Sequence, residues 1–181
     1  MWTPFYLFIS FFLQAQAILV NVTVDDSGIN PLTGQPIIYN PPGAWNLGAN
    51  CTMCTAKIDA RDVHNGTWHD VSTFNSMLQL QTASLVFNGT AVYVSCAIAR
   101  TTSSPHGFSD MSFFIDGNLV GTFVKTPPGL PGYDFNFTVY SNTSLPPGRH
   151  ELTIQNSHIN GSSSLILLDS ITYSSVLHTP S

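Results

Sequence analysis

SLVFNGTAVYVSCAI, residues 84–98, decides the fold. Its second half sets Val92, Val94, Cys96 and Ile98 at every other position. That is the pleat period of a β-strand and not the 3.6-residue period of a helix. Leu85, Val86 and Phe87 precede it, and Asn88-Gly89-Thr90 between the halves reads as a turn or bulge with Gly89 at positive φ. The pattern continues outward. Strands are expected over 77–82, 84–87, 91–99, 111–116, 119–124, 135–140, 151–156 and 164–173. Turn residues separate them at Asp116-Gly117-Asn118, in the Pro/Gly run 127–132, and at Pro146-Pro147-Gly148. Short strands at this spacing predict an all-β sandwich or barrel. Leu165-Ile166-Leu167-Leu168 is apolar on both faces, as in a central strand whose outer face is partly covered. Upstream, 18–24 (ILVNVTV) is a first strand, and 46–69 reads as a long irregular loop bringing Trp68-His69-Asp70 to a fixed place.

The 181 residues suit one domain. Charged residues make up 8% of the chain, against about 25% in ordinary soluble proteins. Five Lys+Arg against ten Asp+Glu leave a net charge of −5, with no basic patch for nucleic acid. Residues 5–13 (FYLFISFFL) precede the small-x-small pattern Ala15-Gln16-Ala17. This predicts a signal peptide over 1–17, a β-sandwich domain over 18–174 and a tail over 175–181. The apolar run is too short to span a bilayer, and no later run reaches about 18 apolar residues. A secreted, extracellular chain without a transmembrane helix is therefore expected.

Secretion makes the N-x-[ST] pattern meaningful. It occurs at Asn21, Asn65, Asn88, Asn136, Asn142 and Asn160, of which about four are expected to carry glycan. Asn50 also fits, with Cys51 as its unfavourable middle residue. Cys51 and Cys54 form C-x-x-C, read as a small-loop disulfide in an oxidising compartment. The zinc alternative needs a second ligand pair, and His64 and His69 are spaced by five, which is not a usual interval. Cys96, in phase with the apolar face, reads as a buried free thiol.

Four blocks stand in order: Phe87-x-Gly89-Thr90-Ala91-Val92-Tyr93-Val94; Phe114-Ile115-Asp116-Gly117; Leu145-x-x-Gly148-x-His150-x-Leu152-Thr153-Ile154; and Leu167-Leu168-Asp169-x-Ile171. Together they resemble galactose-binding-like jelly-roll domains, the sandwich shared by many carbohydrate-binding modules. With Asp25-Asp26, Pro42-Gly43-Ala44-Trp45 and Asn65-Gly66-Thr67-Trp68-His69-Asp70, the chain looks like a family of basidiomycete fungal secreted or membrane-anchored surface proteins of unestablished activity. The resemblance spans about residues 20–174 and implies fold more than function. It also implies that the first strand lies near the last, where a structural calcium often sits. Asp25, Asp26 and Asp169 are the candidate ligands, helped by backbone carbonyls. The alternatives are an Asx turn for Asp25 and Asp26, and a carboxylate accepting backbone N–H bonds for Asp169.

Sugars bind by laying a C–H face on an aromatic ring while polar neighbours take the hydroxyls. Trp68, His69 and Asp70 supply a ring, a donor/acceptor and a carboxylate, with Trp45 and Tyr133 in or beside loops nearby. The competing reading has both Trp residues capping the core. Enzyme motifs are missing: there is no G-x-S-x-G, no H-E-x-x-H, and Glu151 is the only Glu. The sequence therefore predicts a non-catalytic carbohydrate-binding β-sandwich at a fungal wall or surface, with cell-wall polysaccharide as its partner. The alternatives are a structural or protein-interaction ectodomain without sugar affinity and, third, a polysaccharide hydrolase.

Overall fold

The computed structural model describes residues 16–73, 79–157 and 163–179. Residues 1–15 of the expected signal peptide, and the sequon at Asn160, lie outside them. Eleven strands are present: β1 Gln16–Asp25, β2 Ile38–Asn40, β3 Asn46–Leu47, β4 His69–Thr73, β5 Gln81–Gly89, β6 Ala91–Ala99, β7 Ser109–Ile115, β8 Asn118–Lys125, β9 Tyr133–Asn142, β10 Gly148–Asn156 and β11 Ser164–Thr179. The only helices among the described residues are three single-turn 3-10 segments.

The strands form two antiparallel sheets, a jelly-roll β-sandwich. One runs β3-β4-β11-β6-β9, with β1 also paired to β11; the other runs β2-β5-β10-β7-β8. Period-two patterning explains the packing. Val92, Val94, Cys96 and Ile98 all enter the core between the sheets, facing Leu85, Phe87, Phe113, Leu152 and Ile154. Cys96 is a buried free thiol. Asp116 and Gly117, with φ of 51° and 79°, make the two-residue turn between β7 and β8. Both central positions positive is the type I′ geometry that suits a right-handed hairpin twist.

Three expectations are corrected. Gly89 does not take positive φ; β5 and β6 lie in different sheets, and a Cβ on Gly89 would stand 2.3 Å from the Ser174 carbonyl oxygen. Close backbone approach at the crossing explains this glycine. Residues 175–179, placed in the expected tail, belong to β11, which stays paired with β1 as far as Gln16↔Thr179. His69, the last residue of what reads as loop, is the first residue of β4.

β11 positions the site. One of its edges pairs with β4 from Ser164 to Leu168 and then with β1 from Ser170 onward. A register shift between Leu168 and Ser170 on its other side, against β6, places Asp169 where the edge changes partner. The six-stranded sheet is apolar on its outer face too. Ala97, Ala99, Leu165 and Leu167 are covered there by Ala56 and Trp68, with Ile58, Val63, Tyr133 and Phe135 around them. The segment between the Cys51–Cys54 disulfide and β4 is thus a lid over a second small core.

Candidate functional site

Strand geometry divides the expected site. Successive side chains on a strand point to opposite faces. His69 and Val71 face the inner core; the His69 ring stacks on Tyr39 at 4.0 Å. Trp68 and Asp70 face outward, Trp68 under the covering segment. Trp68, His69 and Asp70 therefore do not line one concavity. Trp68 is 3% exposed and sits edge-on to Gly48, where an added Cβ would fall 1.9 Å from its Nε1. Trp45 is 7% exposed and packs against Tyr39 with ring centroids 5.1 Å apart. Neither indole offers a face for a sugar; both close apolar clusters, because more area is removed from water that way. Tyr133 is half-buried beside Phe135, and its hydroxyl accepts the Lys57 N–H at 3.0 Å. It anchors the cover.

Asp70 remains, and it faces an open cleft. Across the sheet the register aligns Asn46, Asp70, Leu167 and Ala97 in one row. The apolar cover ends between Leu167 and Asp70. β3 is only two residues long, so the β4 edge beyond Asn46 is open, and Gln81 Nε2 caps the Ser72 carbonyl there at 3.2 Å. The cleft at this edge holds about 490 Å³. Asn46, Thr55, Ser72 and Gln81 give it hydrogen-bonding walls; Ala44, Met53 and the Cys51–Cys54 bridge give it apolar ones. Asp70 is 6% exposed and accepts no hydrogen bond from any described side chain or backbone N–H. Burial pushes its carboxyl up to about 6, partly opposed by the charge of Lys57. The Lys57 ammonium itself is taken by the Cys51 and Thr52 carbonyls at 3.0 and 3.2 Å. The walls were missed in the sequence because they come from four separate segments; the alternation Trp68-x-Asp70-x-Ser72 was the one available signal.

Asp25, Asp26 and Asp169 do meet, at the point where β11 changes partner: the Asp26 N–H donates to the Asp169 carbonyl at 3.1 Å. The protein's own donors occupy their carboxylates. His69 Nδ1 donates to Asp26 Oδ2 at 2.6 Å, and Thr67 Oγ1 lies 2.6 Å from Asp26 Oδ1. Ser27 Oγ donates to Asp25 Oδ2 at 2.8 Å, and the His64 N–H to Asp169 Oδ1 at 2.7 Å. Burial raises the Asp169 carboxyl, with the Asp26 and Asp25 charges adding to it and the His64 bond opposing. Among the described residues no group of three His, Cys, Asp or Glu side chains is arranged to hold a metal ion. Calcium wants six to eight free oxygens, and four of the six carboxylate oxygens here already accept from Thr67, His69, Ser27 or the His64 N–H. The cluster does not fit the cation that the resemblance implied.

No protein-family description and no curated protein matches the sequence. Solved structures do match. A variant of the catalytic domain of a GH87 alpha-1,3-glucanase, in complex with tetrasaccharides, superposes with a TM-score of 0.51 at 12% identity, over 93% of this chain and 30% of that one. The GH26-CBM35 beta-(1,4)-mannanase of Podospora anserina gives 0.48 at 12% identity, over 89% and 28%. The CBM36-1 domain of a multidomain xylanase from the hindgut metagenome of Trinervitermes trinervoides gives 0.42 at 12%, over 90% and 100%. The glucanase match shows a shared β-sandwich fold. The chain spans under a third of the glucanase and mannanase chains. No helix among the described residues is long and apolar enough to cross a membrane.

Proposed function

We propose that this chain is a secreted, glycosylated carbohydrate-binding β-sandwich of a cell wall or cell surface, holding sugar in the cleft over Asp70 without acting on it. The observation that carries the reading is the Asp70 carboxyl: nearly enclosed, unpartnered within the protein, and turned into open space. Its oxygens open on the cleft and not on a donor of the protein, and ligand hydroxyls are donors of the right kind. Asn46, Thr55 and Ser72 add polar partners; Met53, 90% exposed, and Ala44 add an apolar surface for C–H faces. The same wall speaks against catalysis. Glycoside hydrolysis needs two carboxyl groups across the bond, and Asp70 is the one carboxylate among the described lining residues. Export is supported by the apolar leader and the Cys51–Cys54 bridge, and glycan attachment by the exposure of Asn21, Asn65, Asn88 and Asn136.

The test is binding of the purified protein to an array of wall oligosaccharides, repeated with Asp70→Ala and Asn46→Ala. At least one glycan class should bind and weaken by about tenfold or more in each variant. Binding to no glycan, or binding that ignores both changes, overturns the proposal. A second reading, a protein-interaction ectodomain, is favoured by edge strand β8. Leu119 and Val124 there are 61% and 55% exposed beside unpaired backbone groups.

A further inference from the structure

The cleft has a sign as well as a shape. Among the described residues lining it, Asp70 is the one charged side chain, and no Arg, Lys or His lines it. The nearest cation, Lys57, acts on Asp70 only from a distance, since its ammonium is committed to the Cys51 and Thr52 carbonyls. No cationic side chain flanks Asp70 on its own sheet. Its strand neighbours in the row are Asn46 on one side and the apolar Leu167 on the other. Hydroxyl donors satisfy the acceptor capacity of such a carboxylate but leave its charge uncompensated in a poorly hydrated place. An ammonium compensates both, and a charge-assisted bond is about twice as strong as a neutral one. An anionic ligand would bring a second negative charge against Asp70 with nothing in the wall to offset it.

Resting on the carbohydrate reading above, we infer that the Asp70 cleft selects sugars bearing a free amine, of the glucosamine class, over their N-acetylated and neutral counterparts. The ammonium pairs with the Asp70 carboxylate. Asn46 and Ser72 take adjacent hydroxyls, and Met53 with the Cys51–Cys54 bridge contacts the C–H face. N-acetylation removes the charge and adds bulk at the same atom, so the two ligands differ at the position Asp70 reads.

The experiment is calorimetric titration of the whole protein at about pH 6.5 with three β-1,4-linked tetramers: glucosamine, N-acetylglucosamine and glucose. The glucosamine tetramer should bind about tenfold or more tightly than the other two, and its affinity should fall by about two- to threefold as salt rises from about 50 mM to about 500 mM, a partly buried pair being only partly screened. Asp70→Asn, nearly isosteric, should abolish the preference and flatten the salt dependence. Its melting temperature, read alongside, shows that it is folded, and the salt series on the unsubstituted protein stands as a measurement independent of any variant. Equal affinity for the three tetramers, salt-independent binding, or a preference that survives Asp70→Asn overturns the inference. Asp70-dependent binding of the neutral tetramers alone overturns it while leaving the carbohydrate reading intact. Binding of none of the three overturns the inference by itself; the wall-oligosaccharide array decides the broader reading separately.

Discussion

His69 and Asp70 are adjacent in the chain and look out of opposite faces of one sheet. The His69 ring lies inside, stacked on Tyr39 and bonded to Asp26; the Asp70 carboxyl lies outside, at the mouth of the cleft. The pleat of β4 separates them, and it divides an apparent Trp-His-Asp triad into a lid support, a core bracket and a carboxyl that lines the cleft. His69 and Tyr39 also join the two sheets, since β2 and β4 belong to different ones. The inner side of β4 serves the fold, which leaves the outer side available to a ligand.

Asp70 makes stability depend on pH. Its folded value lies near 6 against an ordinary 3.8. The folded protein therefore holds a proton that the unfolded chain has released, and stability falls as pH rises between about 4 and about 6. Asp70→Asn should melt higher than the unsubstituted protein above that window, by up to about 3 kcal/mol, and match it near pH 4. Thermal melts across the range check this; a variant less stable at neutral pH contradicts it.

His150 should act in the opposite sense. Its Nε2 faces the Pro146 carbonyl at 2.8 Å and its Nδ1 faces Asp116 Oδ2 at 2.7 Å, so both nitrogens have acceptors, and its pKa is raised, chiefly by the Pro146 bond. A raised folded value contributes stability that is whole below the unfolded pKa of about 6.5 and is lost as pH climbs through the folded one. His150→Gln should lower the melting temperature by a few degrees near pH 5.5, with the gap narrowing towards pH 8. A gap that widens with pH refutes the doubly bonded imidazolium.

Gly48 is a packing glycine. Its N–H donates to the Trp68 carbonyl at 2.8 Å, and any Cβ would meet the indole. Gly48→Ala should cost about 1–3 kcal/mol through overpacking and shift Trp68 fluorescence towards a solvated spectrum. Denaturant unfolding with an unchanged midpoint would show that the cover is loosely held.

Calcium should leave the melting temperature where it is, and chelator likewise, because Thr67, Ser27, His69 and the His64 N–H already serve the three carboxylates. A site filled to a hundred times its Kd would add about 2.7 kcal/mol, which a melt resolves easily. A rise on adding calcium would mean that Asp25 Oδ1 and its neighbours rearrange around the ion.

The alternation in 84–98 was enough to assign a two-sheet body and its inward residues, because burial on one face of a strand is written at a fixed interval of two. The Asp-Gly hairpin and the C-x-x-C bridge were legible for the same reason: each is a contact within a few residues of chain. Asp25, Asp26 and Asp169 could be placed together from the resemblance, but not what fills their oxygens, since Thr67 and His69 reach them from about forty residues away.

Sequence by itself determined the layers, the inward faces and the local ties, all consequences of backbone periods and short loops. Tertiary structure alone decided that Trp68 is enclosed, that His69 turns inward, and that Asp70 opens on a cleft walled by four distant segments. Exposure depends on what else covers a face, and the covering residues are separated from it in sequence by the length of the intervening fold.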